Sequence, residues 1–225
     1  LARPVINEKE QNIESQLNPV IIAIDVSKSM MAIDIYPNRL EFAKNKVMAI
    51  LENSKTKAIG VILFAKSSFL LSAVTQDFNS LKMLINNLDT GINFDNGTNI
   101  YSTIEATEKL LKEYSSKNLI LLTDGGDENN FEEEIALANK NNINIYVLAT
   151  ATTNGSPIKE NNGNFLTDKN KNIVNVKLNE NIKELALKTN GGFINFSLNL
   201  DDINQILEDI NLKSKKEDFN QKKYK

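Results

Sequence analysis

The chain has 225 residues, 41% of them hydrophobic and 24% charged, with a formal net charge of −3. This length and apolar content suit one large α/β domain, and the lack of a strong basic field argues against nucleic acid as a main partner. With no Cys and no His, disulfides, Cys/His zinc sites, cysteine nucleophiles and Ser–His–Asp triads are excluded.

Residues 1–17 read as an N-terminal extension. Leu1-Ala2-Arg3-Pro4 has no apolar core behind it, so no signal peptide is expected. No apolar run along the chain reaches the about 18 residues needed to cross a bilayer. The first residue is Leu, not Met, so a trimmed piece is expected, one from which membrane segments could have been cut away. The domain itself is expected over 18–212. It opens with Val20-Ile21-Ile22-Ala23-Ile24, an unbroken apolar run that predicts a strand buried on both faces. At its end stands Asp25-Val26-Ser27-Lys28-Ser29, which offers one carboxylate and two hydroxyls at alternate positions. These are hard oxygen donors of the type Mg²⁺, Mn²⁺ or Ca²⁺ requires. Because two of them are neutral, a bound ion would keep charge with which to attract an acidic group from outside.

Pro37-Asn38 then opens a helix with Leu40, Ala43, Val47, Ile50 and Leu51 on one face. Ile59-Gly60-Val61-Ile62-Leu63-Phe64 is a second core strand, Ser68–Val74 its antiparallel edge partner, and Leu81, Leu84, Ile85 and Leu88 mark a short helix. A loop over 89–99 carries Asp95-Asn96-Gly97-Thr98 and leads to a helix on Ile100, Ile104, Leu111 and Tyr114, for which Thr98 is the N-cap candidate. Leu119-Ile120-Leu121-Leu122 is the third continuous strand and ends at Thr123-Asp124-Gly125-Gly126. A helix around Phe131, Ile135 and Ala138 precedes the strand Ile143–Ala149. Residues 152–177, rich in Asn, Gly and Lys, read as a β-hairpin insertion beyond the main sheet. Asn179 is placed to cap a helix bearing Ile182, Leu185 and Ala186, Phe193–Ser197 is a last strand, and Ile203, Ile206, Leu207 and Ile210 mark the last helix. The basic stretch 213–225 reads as a C-terminal tail, either a solvated end or a juxtamembrane segment.

Alternating β and α units predict a doubly wound, Rossmann-like, mostly parallel sheet with one antiparallel edge strand and helices on both faces. Ligands of such folds bind at the carboxyl ends of the strands. Asp25, Ser27, Ser29, Thr98 and Asp124 are expected to converge there, where two adjacent carboxylates repel unless a cation lies between them. The G-x-G-x-x-G and G-x-x-x-x-G-K-[ST] patterns are absent, so neither a dinucleotide fingerprint nor an ATPase loop is present.

Asp-x-Ser-x-Ser after the first strand, a later Gly97-Thr98, and Asp124 closing Leu121-Leu122-Thr123-Asp124-Gly125 resemble the von Willebrand factor A domain with its metal-ion-dependent adhesion site. The resemblance implies that Ser27, Ser29 and Thr98 contact one divalent ion, Mg²⁺ first with Mn²⁺ or Ca²⁺ as alternatives. Asp25 and Asp124 would hold it directly or through water, and a partner's Glu or Asp would complete it. The rim for such a partner is expected from Lys28, Met30, Asn99 and Asp127, although Met30 also suits packing under the following helix. Asn99 departs from the Asp that related adhesion sites often carry there. Leu1-Ala2-Arg3-Pro4, Pro37-Asn38-Arg39-Leu40, Phe64-Ala65 and Val174–Glu180 resemble more closely the bacterial Bat (aerotolerance) group, BatB-like. That resemblance implies anchoring in the bacterial inner membrane through segments absent from this chain and a domain facing the periplasm. It also implies association with other Bat-like proteins or a MoxR-type ATPase system. Binding rather than enzymatic activity is the expected function. The alternatives are a Mg²⁺-dependent phosphotransferase or phosphatase with Asp25 as nucleophile, and a purely structural scaffold.

Overall fold

Each unbroken apolar run becomes a strand of one six-stranded sheet. The computed structural model describes residues 18–54, 58–88, 97–160 and 162–223; the N-terminal extension 1–17 and most of the loop expected over 89–99 lie outside them. The strands are β1 (Val20–Asp25), β2 (Ile59–Phe64), β3 (Ser68–Thr75), β4 (Lys117–Thr123), β5 (Ile143–Ala149) and, after a two-stranded excursion of β6 (Ser156–Pro157) and β7 (Asn175–Val176), β8 (Gly192–Asn195). The sheet order is β3-β2-β1-β4-β5-β8, with β3 alone antiparallel. This is the doubly wound architecture with one antiparallel edge that the alternation of elements predicts.

Every residue of β1, β2 and β5 is buried, and successive side chains feed opposite faces. Ile22 and Ile24 pack with Leu40, Val47 and Ile50 of α1 (Arg39–Asn53), with Leu81 and Ile85 of α2 (Phe78–Asn86) and with Ile203 and Ile206 of α6 (Asp201–Lys223). Ile21 and Ala23 pack with Ile100 and Ile104 of α3 (Ile100–Leu110), Ala138 of α4 (Glu132–Lys140) and Leu185 of α5 (Ile182–Lys188). Helices thus cover both faces. Because β1 pairs with β2 on one side and with β4 on the other, the direction of winding reverses between β1 and β4. A crevice opens at the carboxyl ends of strands where winding reverses.

Two expectations change in detail. The last helix runs on through Lys223, so the basic stretch 213–225 begins inside α6 and not as a separate tail. Asn99, not Thr98, caps α3: its side chain accepts from the Ser102 amide at 2.9 Å.

α6 is held to α1 by a buried ion pair. Lys46 Nζ donates to Asp202 Oδ1 at 2.7 Å and to the Asn199 carbonyl at 2.6 Å, while Asp202 Oδ2 accepts from the Ser197 amide at 2.8 Å. Removing one partner of such a pair strands the other charge out of water. Asp202→Ala is therefore expected to lower folding stability by about 3–5 kcal/mol, measured by equilibrium urea unfolding.

Candidate functional site

The strand register brings the sequence motifs together. Ile24 lies opposite Leu122, so Asp25 emerges beside Thr123, and Asp124 follows one residue on. Thr123 Oγ1 donates to Asp25 Oδ2 at 2.6 Å, and the Ser27 amide donates to Asp25 Oδ1 at 2.9 Å. The chain then enters a 3₁₀ turn, Lys28–Met31, which carries Ser29 back over Ser27 until their hydroxyl oxygens are 3.1 Å apart. The third segment arrives from the other side of the sheet. The Asn99 amide donates to the carbonyl of Ala65, just beyond β2, at 2.7 Å. Thr98 is thereby pressed against Gly126: a Cβ on Gly126 would lie 2.7 Å from Thr98 Cβ and 3.1 Å from its Oγ1. Gly126 also has φ +61°, so glycine is required there both for backbone conformation and for space.

Ser27, Ser29, Thr98 and Asp124 line a cavity of about 600 Å³, together with Lys28 and Asp127. Asp25 lies beneath its floor, 0% exposed. Two of the expected rim residues are elsewhere. Met30 is 0% exposed and packs in the core with Leu40 and Val47, because the 3₁₀ turn directs it inward under α1. Asn99 is occupied in capping α3 and does not line the cavity.

One residue whose role the sequence does not reveal organises the site. Arg39, in the first turn of α1, is 0% exposed. Its Nε and Nη2 grip Asp34 at 2.7 and 2.9 Å, its Nη1 donates to Asp124 Oδ2 at 2.8 Å, and Nη2 also donates to the Val176 carbonyl at 2.9 Å. Asp34 in turn accepts from the amide and hydroxyl of Thr152 at 2.9 and 2.8 Å. Burial alone would raise the Asp34 carboxyl, but hydrogen bonds from Arg39 and Thr152 outweigh it and hold the group below the usual carboxylate range. An arginine at the start of a helix reads in sequence as a solvated side chain; only the depth of the helix start in the fold signals otherwise.

The two site carboxylates differ in their environments. Asp124 has the Arg39 guanidinium on Oδ2 and the Gly126 amide, at 3.1 Å, on Oδ1. Asp25 pairs with no Lys or Arg among the described residues. Burial, and secondarily the charge of Asp124, pushes the Asp25 carboxyl up to about 7, against the pull of its bonds from Ser27 and Thr123. An added cation is what would hold it ionised. The donor set fits a small divalent ion: oxygens bound side by side on Mg²⁺ at 2.0–2.1 Å are about 2.9 Å apart, and about 3.4 Å apart on Ca²⁺. The separation of 3.1 Å between Ser27 Oγ and Ser29 Oγ is nearer the first and, without an ion, is a hydrogen bond. Ser27, Ser29 and Thr98 could supply neutral oxygens, and Asp124 and Asp25 charge.

The profile of the von Willebrand factor type A domain matches residues 20–127. The solved structure of the conserved hypothetical protein BatB from Bacteroides thetaiotaomicron is 26% identical, with a TM-score of 0.79 over 88% of this chain and 98% of that one. An aerotolerance-related membrane protein from Bacteroides fragilis, solved with multiple mutations to serine, is 28% identical, with a TM-score of 0.78 over 86% of this chain and 98% of that one. The SpRpn10 VWA domain, 17% identical with a TM-score of 0.56 over 86% of this chain and 93% of that one, shares the fold. A comparison with functionally curated proteins gives no match. Among the described residues no helix is long and apolar enough to cross a membrane.

Two predictions follow from these contacts. Arg39→Met leaves both Asp34 and Asp124 without their cation and is expected to cost about 3–5 kcal/mol in urea unfolding. Asp25 is raised in the folded state above its unfolded value of about 3.9. Its protonated form therefore favours folding at low pH, and that contribution is lost as pH rises from about 4 to 7. In EDTA, the melting temperature of Asp25→Asn should gain on that of the parent chain across this window; a constant difference would refute the assignment.

Proposed function

Because residues 20–127 match the model of the von Willebrand factor type A domain, we propose that this chain is a protein-interaction module of that family. In this reading it holds a divalent cation, Mg²⁺ first, at Ser27, Ser29 and Thr98 and captures an acidic side chain of a partner protein there. The observation that carries the reading is the buried Asp25 carboxylate, without a cationic partner among the described residues, directly below two hydroxyls 3.1 Å apart. A bound ion supplies a Lewis-acidic position open to an external carboxylate.

The chain's own residues set the conditions for that capture. The hydroxyls of Ser27, Ser29 and Thr98 are neutral donors and leave positive charge uncancelled. Asp124, already paired with Arg39, offers less negative charge than a free carboxylate. Lys28, exposed on the cavity lip, adds attraction for an acid. The phosphotransferase alternative is disfavoured by the position of Asp25: a nucleophile must reach its substrate, and this carboxylate is 0% exposed and beneath the cavity. Likeness to the Bacteroides fragilis membrane protein supports a membrane-anchored protein; a periplasmic setting for this domain is part of the proposal.

Calorimetric titration of the EDTA-stripped chain with Mg²⁺ and Mn²⁺, with and without excess acetate as a stand-in carboxylate, tests the reading. One saturable site is expected, weakened at least about tenfold by Ser27→Ala and tightening as pH rises through 7, because the ion displaces the Asp25 proton. No binding at millimolar ion in either condition, or binding untouched by Ser27→Ala, would sink it.

A further inference from the structure

We propose that the acid-capturing site continues into a peptide groove walled by the inserted sheet. Its occupant is an extended partner segment carrying a single Asp or Glu with an aliphatic residue close to it in sequence. This rests on the metal-dependent reading above and adds the chemistry of the partner.

The cavity of about 600 Å³ is of the size that encloses whole ligands, not one carboxylate. Beyond Ser29 and Asp124 its wall is the insertion. Next to the β6–β7 pair, three extended segments are joined by isolated bridges: the Leu166 amide donates to the Ile158 carbonyl at 2.9 Å, and the Val174 amide to the Leu166 carbonyl at 2.9 Å. Ile158, Leu166, Val174 and Val176 line the cavity there, with the polar Asn175 and Lys177 beside them. The neighbouring Phe165 and Ile173 do not line it and are 39% and 57% exposed. The insertion thus offers the cavity an aliphatic face in which Leu166, Val174 and Val176 are only half-buried. That wall is tied to the metal-site loops, since Arg39 bonds both Asp124 and the Val176 carbonyl, and Asp34 holds Thr152 at the start of the insertion.

The charges on the lips favour one acid and discourage a run of them. Lys28 and Lys177 are exposed on the cavity wall and pair with no carboxylate among the described residues. Asp127 and Glu128 also line it and would repel a second acid. A segment that seats its acid at the hydroxyl cluster and lays an aliphatic side chain on Leu166 and Val174 satisfies both the charge and the apolar wall.

The test uses the ¹⁵N-labelled 225-residue chain saturated with Mg²⁺. It is titrated with three capped pentapeptides whose only carboxylate, if any, is central: acetyl-Gly-Leu-Glu-Leu-Gly-amide, acetyl-Gly-Ser-Glu-Ser-Gly-amide and acetyl-Gly-Leu-Gln-Leu-Gly-amide. Amide shift changes are expected to give the Leu-flanked Glu peptide about tenfold tighter binding than the Ser-flanked one. The Gln peptide and all EDTA controls should not bind. In Val174→Ser, with Leu166→Ser as a second variant and circular dichroism to confirm folding, the preference should shrink to about twofold or less while Mg²⁺ affinity stays unchanged. Equal binding of the two Glu peptides overturns the groove and leaves the metal-dependent capture standing. Failure of both Glu peptides on a chain that does bind Mg²⁺ overturns the capture as well. A Mg²⁺-dependent dimer in light scattering, lost in Ser27→Ala, would put a second copy's acid in the groove and overturn the partner named above.

Discussion

The Arg39 guanidinium, itself 0% exposed, is bonded to Asp34, to Asp124 and to the Val176 carbonyl, all within 2.9 Å. A fixed planar fork of donors can serve three acceptors at set angles, which a lysine ammonium on a flexible stem cannot. Its partners belong to three parts of the chain, the loop after β1, the end of β4 and the close of the insertion, and other bonds join the same parts: Asp34 accepts from Thr152, and the Asn179 amide donates to the Asp124 carbonyl at 2.8 Å. Once α1 packs its apolar stripe on the sheet, the guanidinium is delivered to this point, and the loops arrange themselves around it. Burying such a charge is costly unless its donors are satisfied, and these loops supply the acceptors.

The same guanidinium makes the two site carboxylates unequal. Asp124 has a cation; Asp25 has only hydrogen-bond donors and the repulsion of its neighbour. A pair of equally partnered acids would have little use for a metal, and a pair without any partner would resist folding at neutral pH. The asymmetric arrangement folds with one carboxyl inclined to keep its proton, and a divalent ion, as proposed, would offer the charge that releases it. In that reading the neutral hydroxyls above would leave the ion electrophilic toward an external acid.

The likeness to the BatB and aerotolerance-related structures from Bacteroides extends over 86–88% of this chain, well beyond the residues 20–127 matched by the family profile. The insertion of this chain also lies beyond residue 127 and forms one wall of the cavity beside the hydroxyl cluster. If a metal-bound carboxylate supplies the common attraction, discrimination among acidic partners has to come from such surrounding surface, because every aspartate and glutamate presents the same group.

The strands, the helix faces and the five residues at the sheet edge were legible in the sequence because each rests on local rules. Burial on both faces demands an unbroken apolar run, a one-sided helix demands apolar residues at 3.6-residue spacing, and oxygen donors at strand ends follow from the motif itself. The role of Arg39 was not legible: its contacts to Asp124 and Val176 span 85 and 137 residues of chain, and nothing local distinguishes it from a solvated helix-start arginine. The inward turn of Met30 and the lean of the insertion over the cavity share that cause, whereas the capping of α3 by Asn99 and not Thr98 is a local contact, to the Ser102 amide three residues on. The first two depend on which distant segments meet once the sheet has wound, and only tertiary packing decides which side chains become neighbours.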